Sequence, residues 1–365
     1  MRGASRLVEY LERHIEAGDF PGASYLVAED GRILAEQALG FAVLQPVRIT
    51  ATTGTIYDLA SLTKPLAGAL LAALLESEGL LSFDDTLARH LPEWSRHDDA
   101  ARITLLDLLT HRSGLPAWSP LYIHASDRTS CAEWLSRQPL EQPPGARVVY
   151  SDPGYILLGL ALERAAGAPL DRLFTGRVTR PLRLAELMFR PAPALRSRVA
   201  ATEAGNRKER LLAGPEADRY NGWRTEVAWG EPHDLNARML LGVSAHAGLF
   251  GTARAVHAVA REFLGDGSGL LLGDRQRELF RTSLTAGLGQ DRSLGFLLAS
   301  SPGGSAGGMM SRGSFGHTGF TGTSLWIDPL VRRIYVLLTN RVHPEFKEID
   351  MNAIRRGFHD LAAAL

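Results

Sequence analysis

Over the first twenty residues the apolar positions recur at helical spacing. Leu7, Tyr10, Leu11 and Ile15 fall on one face among charged neighbours, which predicts an amphipathic helix over 1–20. Pro21 and Gly22 break it. The β-prone runs at 23–28 and 32–39 follow, joined through Glu29, Asp30 and Gly31, and Asp-Gly between such runs is a strong hairpin signal. The pattern changes again after Pro65, where Leu66 to Leu75 is apolar on nearly every face, as a helix buried at the centre of a domain would be. It ends near Gly79. Because proline lacks the amide hydrogen that a helix interior needs, Pro65 predicts either a late start or a local distortion. Helical periodicity then dominates residues 80–240, most clearly at 103–109, 131–137, 155–166 and 170–178, with proline-rich turn clusters at 142–145 and 191–193. A helix at 253–264, a Gly- and Ser-rich loop at 300–314 and strands at 323–327 and 334–340, linked through Asp328 and Pro329, come next. A final helix is expected over 345–365.

Strands at both chain ends with helices between them predict an α+β fold. The expectation is one antiparallel sheet built from both ends and flanked by terminal helices, with a mostly helical domain inserted. Residues 1–75 and 242–365 would form the sheet domain, and 76–241 the helical one. A chain of 365 residues can bury a large core, and no repeat of fixed period is visible. With 40 basic and 40 acidic residues the formal charge is zero, and no basic run provides the footprint of a nucleic-acid binder. Small-molecule partners are therefore expected. The first residues lack the apolar core of a signal peptide, and no stretch reaches the length of a membrane span. Cytoplasmic residence is the resulting expectation. Cys131 is the only cysteine, which excludes an intrachain disulfide and marks it as a packing residue.

Charge usage changes the picture at one stretch, Ala60-Ser61-Leu62-Thr63-Lys64-Pro65. Only Lys64, Lys208 and Lys347 are lysines, so 37 of the 40 basic residues are arginine. Arginine keeps its proton in proteins, whereas a desolvated lysine can lose it and serve as a base. Residues three apart on a helix share a face, so Ser61 reads as a nucleophile and Lys64 as its proton acceptor. The competing Gly-x-Ser-x-Gly pattern at Gly303-Gly304-Ser305-Ala306-Gly307 lies in a Gly/Ser tract without the strand and helix that a nucleophile elbow needs. His111, His233 and His246 lack metal-ligand spacing and read as satisfied loop histidines, so neither a metal nor a cofactor is expected. His233, Asp234 and Asn236 are placed along a cleft, and Trp118, Trp223 and Trp229 are candidates for the walls of an acyl pocket.

Ser-x-x-Lys chemistry works with two partner motifs, a Ser-Asp-Asn and a Lys-Thr-Gly element. Counterparts stand here in the same order, Tyr150-Ser151-Asp152 and His317-Thr318-Gly319. With Leu108-Leu109-Thr110-His111-Arg112-Ser113-Gly114-Leu115, Pro144-Gly145 and Gly248-Leu249-Phe250-Gly251-Thr252, the chain resembles the serine β-lactamase and penicillin-binding protein superfamily. It is most similar to the class C β-lactamase-like branch, which includes esterases, D,D-peptidases and D-aminopeptidases. The resemblance runs from the first hairpin to the last helix. It implies an acyl-enzyme on Ser61, a proton shuttle of Lys64 and Tyr150, and an oxyanion hole from the backbone N–H groups of Ser61 and Phe320. Asp152, His317, Thr318 and Gly319 would bind substrate. Two positions depart from the branch. Asp152 stands where Asn is frequent, and an ionised carboxylate cannot donate a hydrogen bond. His317 replaces Lys, and a neutral imidazole attracts a carboxylate less. Both changes favour an ester or amide substrate over a lactam, leaving as alternatives a β-lactamase or D,D-carboxypeptidase and a non-catalytic ligand-binding protein.

Overall fold

The computed structural model describes residues 2–96 and 99–365. Met1 of the expected first helix lies outside that range, and the helix itself is Arg2–Glu16. Ten strands form among the described residues: β1 (Gly22–Glu29), β2 (Arg32–Val43), β3 (Ile49–Thr50), β4 (Tyr57–Asp58), β5 (Leu187–Phe189), β6 (Leu249–Gly251), β7 (Leu297–Leu298), β8 (Phe315–Thr318), β9 (Ser324–Asp328) and β10 (Arg333–Thr339). Seven of them build one antiparallel sheet in the order β3-β2-β1-β10-β9-β8-β7. The chain ends meet at its centre, where Ala23 pairs with Thr339 and Glu29 with Arg333. Strands β4, β6 and β5 make a small second sheet.

The period of two along β1 and β10 sorts their side chains between the faces of the sheet. Tyr25, Val27, Tyr335 and Leu337 join Leu7 and Leu11 of the first helix and Ile354 and Phe358 of the last in one buried cluster. Leu26, Ala28, Ile334 and Val336 turn the other way, toward Val256, Val259, Phe263, Leu66 and Leu70. Both terminal helices thus share one face. The opposite face is covered by the helix Ala253–Leu264 and by the apolar stretch after Ser61. The last helix is Met351–Ala363, six residues shorter at its start than its periodicity suggests, because Asp350 caps it by accepting from the Ala353 amide at 2.9 Å.

The buried stretch carries the distortion that Pro65 predicts. A 3₁₀ turn at Ala60–Leu62 leads into a wide π turn over Lys64–Ala69, and regular α-helix runs only over Leu70–Ser77. A ring without an amide hydrogen breaks the regular ladder, and the π turn absorbs the mismatch. The regular elements between residues 80 and 240 are mostly short helices and 3₁₀ turns joined by loops, apart from β5 and isolated bridges. Their central helix, Asp152–Ala166, begins three residues before its apolar run because Ser151 caps it by accepting from the Gly154 amide, with Pro153 in its first turn.

Candidate active site

Ser61 sits on a backbone turn held from several sides. Ala60 before it has φ of +47°, a conformation that costs a residue with a Cβ about 1–3 kcal/mol. Asp58 holds that turn, its Oδ1 accepting from the Ala60 amide at 2.9 Å and its Oδ2 from the His233 amide at 2.8 Å. Thr63 donates to the Ala60 carbonyl at 2.6 Å and accepts from the Leu249 amide at 3.1 Å. The nucleophile candidate is thereby fastened to the small sheet.

Lys64 is fully buried. Its Nζ donates to Asp152 Oδ1 at 2.6 Å, to the Ser61 hydroxyl at 3.1 Å and to the His246 carbonyl at 3.1 Å. Three acceptors match the three donors of an ammonium. Burial is the strongest single influence and acts to lower the Lys64 pKa, but the charges and hydrogen bonds of Asp152 and Tyr150 together outweigh it and the net shift is upward. Lys64 therefore rests as a cation. Tyr150 lies against this group, its ring centroid 4.8 Å from Nζ, and its hydroxyl interacts with both Lys64 and Ser61. Burial raises the phenol pKa, and the Lys64 charge only partly offsets it. Ser61, Lys64, Tyr150 and Asp152, expected together from the sequence, are brought together.

The third element approaches from the sheet edge. After β8 the chain turns back at Gly319, where Thr321 donates to the Asp58 carbonyl at 2.8 Å and Thr323 to the Leu59 carbonyl at 3.0 Å. These bonds tie the turn bearing Phe320 to the residues that lead into Ser61. A Cβ at Gly319 would lie 2.1 Å from Thr323 Oγ1 and 2.6 Å from the Leu59 carbonyl oxygen, so only glycine allows the approach. His317 is buried, its Nδ1 2.8 Å from the Thr318 carbonyl and donating to it. Burial first, then the charges of Lys64 and Arg292, hold its pKa well below the ordinary value. It is a neutral imidazole here.

Two cavities flank Ser61, and Tyr150, Asp152 and Phe320 line both. One, of about 420 Å³, reaches His317, Thr318 and the tract at Gly303, Gly304 and Ser305. It is also lined by Arg292, Arg341 and Arg355, which the sequence reading did not single out. None of the three has an ion-pair partner among the described residues. Arg292 lies 5.3 Å from the Tyr150 ring centroid, and its buried Nη1 has no hydrogen-bond partner among the described residues. Arg355 donates to the Gly319 and Thr323 carbonyls at 2.6 and 3.0 Å, and burial pushes its pKa down to about 9. Arg341 donates to the Phe320 carbonyl at 2.6 Å. A signal for Arg355 existed in the chain, since it falls on the apolar stripe of the last helix beside Ile354 and Phe358. Arg292 and Arg341 lie in irregular segments with no such marker.

The second cavity, of about 270 Å³, is walled by Ala117, Trp118, Leu212, Ala247 and Phe320 with His233, Asp234 and Glu209. Of the three tryptophans expected around an acyl pocket, only Trp118 lines it. Trp223 packs instead on Tyr220 and Tyr122, and the Trp229 indole donates to the Val199 carbonyl at 2.7 Å. Asn236, expected along the cleft, is buried away from it between the Ser119 carbonyl and the Tyr122 amide. His233 and His246 are paired with Glu203 and Asp234 at 2.8 and 2.9 Å. His111 departs from the satisfied state expected of it, because Nδ1 accepts from the Ser151 amide at 3.0 Å while Nε2 has no partner among the described residues. Its ring packs at a tilt against Tyr150, centroids 4.5 Å apart, so it orients the loop that presents the phenol. Ser305 is anchored by the Trp326 indole at 3.3 Å in the Gly/Ser tract, with no helix after it.

Comparison with known proteins places the chain. The Beta-lactamase family model matches residues 7–358. A protein of Escherichia coli (strain K12) named "Putative D-alanyl-D-alanine carboxypeptidase" is 32% identical over 369 residues, covering 93% of this chain and 82% of its own length. A protein of the same name from Salmonella agona (strain SL483) is 30% identical with the same coverage. Among solved structures, EstCE1, described as a hydrolase with promiscuous acyltransferase activity, superposes with a TM-score of 0.76 at 22% identity, covering 99% of this chain and 98% of the other. A class C β-lactamase from Rhodobacter sphaeroides gives 0.73 at 20% identity, covering 98% of each chain. These two superpositions speak to the fold, and the family model together with the curated relatives shows that the chain belongs to the β-lactamase family and is one of its serine hydrolases.

Proposed function

We propose that the protein cleaves a small ester or amide through an acyl-enzyme on Ser61. The observation that carries this reading is the buried Lys64 ammonium, hydrogen-bonded at once to the Ser61 hydroxyl and to Asp152. Ser61 Oγ attacks the carbonyl carbon while its proton passes into the Lys64, Tyr150 and Asp152 group. The same group returns that proton to the departing oxygen or nitrogen as the carbonyl–leaving-group bond breaks. Negative charge on the tetrahedral oxygen is met by the backbone N–H groups of Ser61 and Phe320, fixed donors aimed where charge develops. Water then repeats the sequence in reverse and frees the acid. Thr318, Gly319 and His317 form the edge along which substrate lies. Asp152 acts as the partner of Lys64 and not as an amide-like donor to substrate.

A second reading concerns the leaving group. Neutral His317 supplies no charge for a carboxylate, but Arg292, Arg341 and Arg355 line the same cavity, and unpaired guanidiniums favour an anion there. This supports an amide whose leaving group ends in a carboxylate, as in the carboxypeptidase activity named for the curated relatives. Incubation with a fluorophosphonate followed by intact-mass measurement tests the acyl-enzyme. A single adduct is expected on the native protein and none on Ser61→Ala; an adduct that survives that substitution sinks the reading. Matched amides with and without a leaving-group carboxylate then test the second reading, with higher kcat/KM expected for the acid.

A further inference from the structure

The cavity on the other side of Ser61 is apolar in its walls and acidic in its polar groups. Asp58, Asp152, Glu209 and Asp234 line it together with Lys208 and His233. Three of the four carboxylates are accounted for. Asp58 accepts two backbone amides, Asp152 holds Lys64, and Asp234 Oδ1 accepts from the Ala237 amide at 2.6 Å and His246 Nε2 at 2.9 Å. Glu209 is different. Its Oε1 accepts from the Leu235 amide at 3.0 Å, while Oε2 has no hydrogen-bond partner among the described residues, although the residue is only 6% exposed.

A buried carboxylate oxygen without a partner costs stability wherever no ligand meets it. The nearby cations do not reach it. Lys208, though it lines the cavity, donates from Nζ to Glu348 at 3.4 Å. Arg224 spends its donors on Glu231 and on the His233 and Pro232 carbonyls. Burial first, and then the charge of Asp234, hold the Glu209 carboxyl well above its ordinary range. A cation entering this cavity would let Glu209 ionise and would be shared with Asp234.

We infer that this cavity binds a primary ammonium group on the acyl part of the substrate, with Glu209 as its hydrogen-bonding anion and Asp234 as the neighbouring charge. The assignment of acyl and leaving sides rests on the reading above, in which the arginine-lined cavity takes the leaving group. The cavity of about 270 Å³ fits a short amine-bearing acyl chain, with Trp118, Leu212 and Phe320 against its carbon atoms. The preferred substrate is then a short aminoacyl amide or peptide with a free amino group, cationic at one end of the cleft and anionic at the other.

The test compares p-nitroanilides of D- and L-alanine with those of propionic acid and N-acetyl-alanine. The ammonium donor of at least one enantiomer is expected to show kcat/KM about tenfold to a hundredfold higher than the neutral donors, the range for a hydrogen bond to a charged group. In Glu209→Gln, which keeps shape and removes charge, that ratio should fall toward one. If that variant does not fold, the native protein still decides. Ethylammonium chloride should slow Ser61 labelling by a fluorophosphonate, whereas ethanol at the same concentration and ionic strength should not. Equal rates for ammonium and neutral donors, or a preference unchanged in Glu209→Gln, overturn the inference. Absence of any label on native Ser61 instead overturns the acyl-enzyme reading beneath it, so the two failures are distinct.

Discussion

Lysine and arginine divide the labour of this site by what each can do with a proton. Lys64 is the one lysine in the interior, and Asp152 keeps it charged against the pull of burial. A charged amine has no lone pair, so it must give up a proton before it can accept one from Ser61. Asp152→Asn tests this. Without the carboxylate charge, burial is left with less to oppose it and the Lys64 pKa falls. The pH limb of acylation that belongs to Lys64 should then move to lower pH by about one unit or more, as measured from the pH dependence of kcat/KM for an acyl ester. A limb that stays in place assigns that titration to Tyr150. The Ser-x-x-Lys spacing was readable along the chain, yet the protonation state of its lysine was not. That state depends on a residue 88 positions away.

At the scale of elements, three segments that are irregular or distorted carry the candidate site, and regular ones fasten them. The 3₁₀ turn at Ser61 and the turn after β8 are tied to one another through side chains of Asp58, Thr321 and Thr323, and the loop ending in Tyr150 is held by the Ser151 amide donating to His111 Nδ1. Gly319 is where this arrangement is tightest. Gly319→Ala should force Phe320 and Ser61 apart. A misplacement of the oxyanion donors by a fraction of an ångström to one ångström is expected to reduce kcat/KM about a hundredfold, while overpacking costs about 1–3 kcal/mol of stability. Steady-state kinetics alongside a denaturation curve separates the two effects, and a variant with native kinetics would refute the tight approach. The hairpin, the buried apolar helix and the capped helix after Ser151 were legible because their signals are local. The shortened last helix was misjudged because its apolar residues at 345–350 continue the composition of the helix without its hydrogen bonds.

Over the whole molecule the two chain ends hold the sheet together from one face. His359 of the last helix links that face to the Gly/Ser tract beside the arginine-lined cavity. Its Nδ1–H donates to the Ser305 carbonyl at 2.6 Å, and its Nε2 accepts from the Ser324 hydroxyl at 3.1 Å. Burial pushes its pKa down to about 3, below the unfolded value near 6.5. The sign follows from linkage: with the folded pKa depressed, the stabilisation is complete above about pH 6.5 and is lost as pH falls toward 3. At pH 4 about 3 kcal/mol should be gone from this residue alone. His359→Asn keeps a donor for Ser305 but does not titrate in this range. Denaturant titrations at pH 7 and pH 4 should find it less stable at neutral pH and less weakened by acid; an unchanged acid sensitivity would refute the assignment.

The sequence by itself determined many of the elements and singled out the candidate reacting groups, because helix period, turn residues and short motifs are written over stretches of a few residues. Ser61, Lys64, Tyr150 and the His317-Thr318-Gly319 run were found that way. Only the tertiary structure decided which charges surround them. Arg292, Arg341 and Arg355 converge on one side of Ser61, and Glu209 and Asp234 on the other, from positions more than a hundred residues along the chain from Ser61. A charge becomes a recognition element only when burial removes its water and geometry leaves it unpaired. Neither condition can be read before the chain has folded.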